Sequence, residues 1–292
     1  MLCPEAPAPT FGPICITQVT DAQLHQFAEL IYRRTGIRIP PQKKLLLSNR
    51  LRRRLKQTDI DNFGDYYRHL RRLPDDDAEW DAMLQEITTH ETYLFRDDLQ
   101  WDWFRHVFLA ERAAAARQGK MLRSLRIWSA ACSTGDESAT AACCIAACLP
   151  DFPRWQIHIL GTDIGVGALE QAKAATFGQR AMRLVPEEYR RRFFAKAKDG
   201  QTWRALPVLT DMLTFRQHNL MEPLCERPFD LLLLKNVLIY FDPLSKTTVL
   251  HNVRAALLPG GLLMAGATEG VADMLRDFQR LEPWLFRKPT AH

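Results

Sequence analysis

The sequence predicts an α/β fold: a doubly wound, Rossmann-like sheet that follows a small all-α domain and carries a small β insertion. Three observations predict it. From Leu125 onward, short apolar runs suited to strands alternate with helical patterns, as repeated strand–helix units of a parallel sheet would. One run, FDLLLL at 229–234, is apolar on both faces, as a central parallel strand must be. The run at 125–130 passes into a loop of small residues, Ser129 to Gly135, and then opens a helix with Asp136 and Glu137. Strand, small-residue loop and helix N-terminus together form a ligand cradle at the carboxyl edge of such a sheet.

In chain order, residues 1–85 read as the all-helical domain, 86–120 as a linker and long helix, and 121–292 as the sheet domain, with its insertion at about 178–212. The first stretch, rich in Pro and Ala, reads as a disordered lead-in. A helix is expected over 20–36, with Asp21 as N-cap, an apolar stripe through Leu24, Phe27 and Ile31, and Gly36 ending it. Further helices are expected over 41–57, 62–73 and 77–89. Residues 98–118 read as one long helix. The alternating part then gives strands at 125–130 and 155–162, with helices at 136–148 and 166–175. The insertion reads as a helix followed by extended pieces at 202–206 and 208–213 that form a hairpin. Strands at 213–217 and 229–234, a helix at 243–257, a turn at Pro259–Gly261, a strand at 261–267 and a last strand at 278–287 complete the pattern.

Composition narrows the function. Hydrophobic residues at 47% and charged residues at 25% are the proportions of a soluble globular protein. No apolar run is long enough to span a bilayer, and no secretory signal is visible, so a cytoplasmic location is expected. Seven cysteines without a C-x-x-C pair read as free thiols of a reducing compartment rather than as a metal or disulfide frame. The net charge is +5, but thirteen Lys or Arg against three Asp or Glu lie between Arg33 and Arg72, which points to a basic face for an acidic partner.

The loop chemistry is more specific. Neither G-x-G-x-x-G nor a P-loop is present. Two acids at a helix N-terminus suit the helix dipole and repel a phosphate placed there. The expected ligand therefore carries a positive group, and S-adenosylmethionine, with its α-amino group and sulfonium, fits. Asp163, at the end of the second strand, stands where an acid binds ribose hydroxyls, and it also suits an N-cap. In the connector ITTHETYLFRD, Arg96 can bind a carboxylate through its planar fork. His90–Glu91 would open an H-E-x-x-H metal helix, but position 94 is Leu, so no metal site is expected.

TYLFRD after a Thr-Thr pair, WSAACSTGDE, GTDI, and NVLIYFD followed by PGGLL occur here in that order. Together they resemble the chemotaxis receptor methyltransferases of the CheR family over nearly the whole chain. The resemblance implies an S-adenosylmethionine-dependent methyltransferase sheet that esterifies glutamate side chains of chemoreceptors. It implies that His90, Thr92, Arg96, Ala130, Gly135, Asp136 and Glu137 hold the cofactor, with Arg96 facing its carboxylate and one of the paired acids taking its amino group. Asp163 would bind the ribose, Asn219 and Leu220 would flank the adenine, and Lys235 and Asn236 would complete the pocket. Tyr240 would face the transferred methyl and act with Arg96 at the catalytic centre. Arg50, Arg53, Arg54 and Lys56 would meet the cytoplasmic helical domain of the receptor, the protein's only link to a membrane. The insertion would correspond to the family's small β-subdomain.

Four places depart from the family pattern. His90 stands for Asn, Asp136-Glu137-Ser138 for Glu-Glu-Pro, Lys235 for Arg, and Ala267-Thr268 for His-Ser. They bear on cofactor affinity and mark a divergent branch, for instance one serving a pilus-type pathway. Two rival readings remain: a non-catalytic adaptor that senses cofactor or binds receptor, and a nucleic-acid methyltransferase. No aromatic residues interleave the basic run at 50–56 to stack bases, so no nucleic-acid partner is expected.

Overall fold

The computed structural model of the chain describes residues 18–266 and 268–290. The expected lead-in and the departure at Ala267 lie outside the described residues.

Helix α1 (Asp21–Thr35) is capped by Thr20, not by Asp21. The Thr20 hydroxyl accepts from the Gln23 amide while the Gln23 side chain returns to the Thr20 amide, a reciprocal box that Asp21 could not make one residue later. Gly36, at φ 72°, closes the helix in the left-handed region. Helices α2 (Lys44–Thr58), α3 (Phe63–Leu70) and α4 (Ala78–Ile87) follow. Their apolar stripes close on one core that includes Phe27, Ile31, Leu51, Leu55, Tyr66 and Trp80.

The expected long helix is broken in register. It runs as α5 (Asp98–Trp103), a π-helical turn over Phe104–Phe108, and α6 (Leu109–Arg117). Phe104 and Phe108 are both buried, and their rings stack at 5.3 Å between centroids.

Strand β1 (Ser124–Ala130), α7 (Asp136–Cys148), β2 (Gln156–Asp163) and α8 (Val166–Ala174) form the first wound half. The insertion then supplies β3 (Thr176–Gly178), α9 (Gln179–Met182), α10 (Glu187–Phe193), β4 (Phe194–Lys196), β5 (Thr202–Ala205) and α11 (Pro207–Thr210). Instead of a hairpin it is a three-stranded antiparallel sheet in the order β3-β5-β4. The piece expected to extend over 208–213 is a helical turn started by Pro207, whose fixed φ suits a first helical position.

Strands β6 (Leu213–Gln217) and β7 (Phe229–Leu234), helix α12 (Pro243–Ala256) and strand β8 (Leu257–Ala265) continue the main sheet. The Pro259–Gly261 turn is absorbed into β8, where the pairing register shifts opposite Phe229 and Leu231. The single last strand is two, β9 (Gln279–Glu282) and β10 (Leu285–Arg287), joined at Pro283–Trp284. Proline has no amide proton for the ladder, so the chain turns there.

The main sheet has the order β6-β2-β1-β7-β8-β10-β9; the first five strands are parallel and the last two antiparallel. In β7, Leu231 and Leu233 enter the core on one face while Leu232 and Leu234 enter the core on the other. The strand order reverses at β1, so the crevice at its carboxyl end is the place for a ligand. Among the described residues, no helix is long and apolar enough to cross a membrane, and no group of His, Cys, Asp and Glu is placed to hold a metal.

Candidate active site

Two cavities open at the end of β1. The larger, about 1030 Å³, lies between the helical domain and the sheet, and includes Asp163, Asn219, Leu220, Arg50, His90 and Tyr240 in its walls. The smaller, about 500 Å³, lies under the connector and includes Thr92, Arg96, Trp101, Glu137 and Lys235. They share Thr89, Ala131, Ser133 and Asn236.

The loop after β1 makes this junction possible. Ala131 and Ser133 both take positive φ, 60° and 52°, which folds the backbone tightly around the crevice. Asp163 holds the loop there. Its Oδ2 accepts from the Ser133 amide at 2.8 Å and its Oδ1 from the Gly165 amide at 2.9 Å. It is 6% exposed and lines the larger cavity, so each oxygen keeps one lone-pair direction for a hydroxyl donor.

Gly135 and Asp136 have a different role from the expected one. Neither lines a cavity. Gly135 has φ 85°, and a Cβ there would sit 2.9 Å from the Ala172 Cβ, so the glycine lets α7 start against α8. The Asp136 carboxylate is buried and accepts from the Thr134 hydroxyl at 2.6 Å, and burial pushes its pKa up. Ala130 is likewise packed under the sheet, and Ala131, one residue on, reaches both cavities.

Glu137 is the acid that faces the smaller cavity. Its Oε1 accepts from the Ser129 hydroxyl at 2.7 Å, and Lys235 Nζ lies 3.8 Å from its Oε2. Burial raises its pKa, and Lys235 and Ser129 oppose the rise. Lys235, with a side chain 3% exposed, also reaches Asp97 at 3.2 Å and the Arg96 carbonyl at 3.3 Å. The connector is thereby strapped over α7. The Phe95 amide donates to Thr140 at 3.0 Å, and Trp101 Nε1 donates to the Arg96 carbonyl at 2.7 Å. Arg96 itself reaches the Glu91 carbonyl at 3.1 Å and faces the cavity with Thr92.

Glu137 with the cations Arg96 and Lys235 in a small pocket suits the zwitterionic end of an amino acid, and an acid with open lone pairs in the adjoining cavity suits a sugar diol. The residues present therefore fit S-adenosylmethionine.

The remaining candidates divide. Asn219 lines the larger cavity, but its amide is engaged: Nδ2 donates to the Arg34 carbonyl at 2.8 Å and Oδ1 accepts from Met221 at 3.1 Å. Leu220 is buried beside it. Asn236, at φ 59°, turns the chain after β7 so that Tyr240 reaches the cavity from a short helical turn. Lys43 Nζ lies 5.3 Å from the centre of the Tyr240 ring. His90 bonds Thr88 Oγ1 at 2.7 Å, and burial lowers its pKa against the pull of Asp163.

Of the four basic residues expected on the partner-facing surface, Arg50 turns into the cavity wall, held by the Ile87 carbonyl and by Thr89 Oγ1 at 3.1 Å. Arg54 is paired with Glu79 inside the helical domain, its side chain 12% exposed, so it is a core ion pair rather than a docking residue. Arg53 pairs with Glu86 at 2.6 Å, and Lys56 is exposed. Among the cavity residues that the sequence did not single out are the titratable side chains of Arg38, Lys43 and His218. The first two come from the helical domain, which composition treated only as a basic face. His218 directly precedes the Asn219–Leu220 pair.

Two family models match the chain. Residues 22–88 match the family model for the CheR methyltransferase all-alpha domain, and residues 90–284 match that for the CheR methyltransferase SAM binding domain. Chemotaxis protein methyltransferase 2 of Pseudomonas aeruginosa is 33% identical over 269 residues, covering 91% of this chain and 92% of that protein. The chemotaxis protein methyltransferases of Salmonella typhimurium and Escherichia coli are 31% and 30% identical, each covering 89% of this chain and 88% of its own. Strand order, a pocket with acid and cations at the end of β1, and a helical domain walling it agree with that match, and the chain belongs to the CheR family of S-adenosylmethionine-binding methyltransferases.

Proposed function

We propose that this methyltransferase esterifies glutamate side chains on the cytoplasmic helical domain of chemoreceptors. The observation that carries the reading is the joining of the two cavities at Ala131, Ser133 and Asn236, with Glu137 and Arg96 at one end and Tyr240 at the other. S-adenosylmethionine would supply a methyl group on a sulfonium; an acceptor carboxylate oxygen bonds to that methyl carbon as the C–S bond breaks and its electron pair leaves on sulfur, giving a methyl ester and S-adenosylhomocysteine.

The protein's part is alignment. A carboxylate is ionised at neutral pH, so no general base is needed. Glu137 holds the amino group, Arg96 the cofactor carboxylate, and Asp163 the ribose. Arg38, Lys43 and Arg50 share the cavity of Tyr240 and attract an incoming carboxylate to it. Tyr240 positions the acceptor rather than moving a proton. Alignment of this kind contributes about 7–11 kcal/mol in favourable cases. Outside the cavity, Lys56 and Arg53 offer positive charge to acidic receptor helices.

The test is transfer of labelled methyl from S-adenosylmethionine to purified receptor cytoplasmic fragments. Label released as methanol by mild base, and absent from fragments whose glutamates are changed to alanine, is the expected result. Binding of S-adenosylhomocysteine without base-labile label on any receptor fragment would instead favour a cofactor-sensing adaptor.

A further inference from the structure

The wall expected to hold the adenine has a shortage of polar side chains. Leu220 offers none, and both ends of the Asn219 amide are bonded to the protein backbone. His218 is the exception. It lines the same cavity as Asp163, Asn219 and Leu220, and its Nε2 is buried with no hydrogen-bond partner among the described residues. A buried polar atom left without a partner is costly unless a ligand or water meets it.

The ring is fixed in place. The His218 amide donates to the Asp163 carbonyl at 3.0 Å, which ties it to the strand end that carries the ribose acid. Its ring packs edge-on to Trp128 at 5.9 Å, and Trp128 is itself anchored by a 2.9 Å bond from Nε1 to Thr162. Burial lowers the pKa of the ring and Arg216 adds to this, which favours the neutral form. The Glu222 carboxylate, and to a lesser extent its backbone, act the other way. In the neutral ring the Nδ1–H tautomer leaves Nε2 as an acceptor. Adenine carries a donor that matches it, the N6 amino group.

We propose that His218 Nε2 accepts a hydrogen bond from the exocyclic amino group of the cofactor's adenine and so selects adenine over other purines. This rests on the cofactor reading above and adds the residue that discriminates the base.

The test is calorimetric titration of the full chain with S-adenosylhomocysteine and with S-inosylhomocysteine, in which oxygen replaces the amino group. The wild type is expected to prefer the adenine compound by about tenfold or more, the range for an acceptor left facing an acceptor. His218→Phe keeps a ring against Trp128 without the nitrogen, and should bring the two affinities within about twofold, mainly by weakening the adenine compound. His218→Gln, whose amide oxygen can accept, should keep most of the preference. A wild type that binds both compounds equally overturns the proposal and leaves the cofactor site standing. An undiminished preference in His218→Phe also overturns it. Binding of neither compound to the wild type would remove the cofactor reading and this one with it. If His218→Phe does not fold, the wild-type preference and its persistence in His218→Gln still decide.

Discussion

Asp136 and Glu137 are neighbours of the same charge, yet only Glu137 reaches the smaller cavity. Successive helical residues point about 100° apart, so one of an adjacent pair faces the crevice and the other turns into the packing. Because burial raises the Glu137 pKa, the free protein takes up a proton there at a higher pH than an ordinary glutamate would. A bound ammonium favours the ionised form, so ligand binding must release a proton in that range. Affinity for S-adenosylhomocysteine should therefore fall as pH is lowered towards the Glu137 pKa and be insensitive above it. Calorimetry in buffers of different ionisation enthalpy would show the released proton. Glu137→Gln should abolish that release and weaken binding roughly tenfold to a hundredfold, the range for a hydrogen bond to a charged group. Asp136→Asn, away from the cavity, should leave affinity within about threefold, because a substitution outside the contacts moves it little. Which acid faces the cavity could not be read from the sequence, since it depends on how Gly135 seats α7 against α8. The shift from Ala130 to Ala131 has the same origin: the strand alternation that buries Ala130 ends there, and the positive φ of Ala131 turns the chain outward.

Elements with a strong internal pattern were legible, and those set by a partner elsewhere in the chain were not. Helix α7 and strand β7 lie where the sequence places them, because small residues after Gly135 and an unbroken apolar run each allow one structure. The π turn in the long helix and the hairpin at Pro283 depend on which aromatic rings must meet the core. The segment from Asn236 to Tyr240 is the clearest case of remote support. Glu269, fully buried, accepts from the Val237 amide at 3.1 Å, and the backbone of Asn236 and Leu238 also stabilises its ionised form. Gly266 leaves room for it, since a Cβ there would lie 2.9 Å from Glu269 Oε1. Glu269→Ala should leave these amides buried without an acceptor and cost about 1–3 kcal/mol in denaturant unfolding. Amide exchange should accelerate at 236–238, and turnover should fall more than cofactor affinity, because the segment carries Tyr240. Unchanged exchange at those amides would show that the turn holds without Glu269.

At the scale of the whole molecule, the helical domain is a wall of the larger cavity rather than an attached module. Thr35, Ile37 and Leu46 line the larger cavity, and the domain is pinned to the sheet at several points around it. Ile37 bridges Phe241, the Arg38 amide donates to the Tyr240 carbonyl at 2.9 Å, and Gln85 accepts from the Ala168 amide at 3.1 Å. The Tyr32 hydroxyl donates to Asp242 Oδ2 at 2.9 Å, while Asp242 Oδ1 caps α12 through the Ser245 amide at 2.8 Å. The Ser245 amide is the main reason the Asp242 carboxyl stays below its ordinary pKa, and Tyr32 adds to it. A carboxyl depressed in the folded state contributes stability that is complete above the unfolded value, about pH 4, and lost as pH falls towards the folded one. Melting temperature measured from pH 6 to pH 3 should therefore drop for the wild type over the acid end of that range. Asp242→Asn should start lower and show a shallower acid limb, so that the two curves converge as the pH falls. Tyr32→Phe removes the hydroxyl that donates to Asp242 and accepts from Ser245 Oγ at 3.4 Å, and keeps the cap. It should lower S-adenosylhomocysteine affinity through a looser cavity wall while leaving most of the melting temperature intact. An affinity equal to wild type in Tyr32→Phe would mean that the remaining pins hold the wall without it.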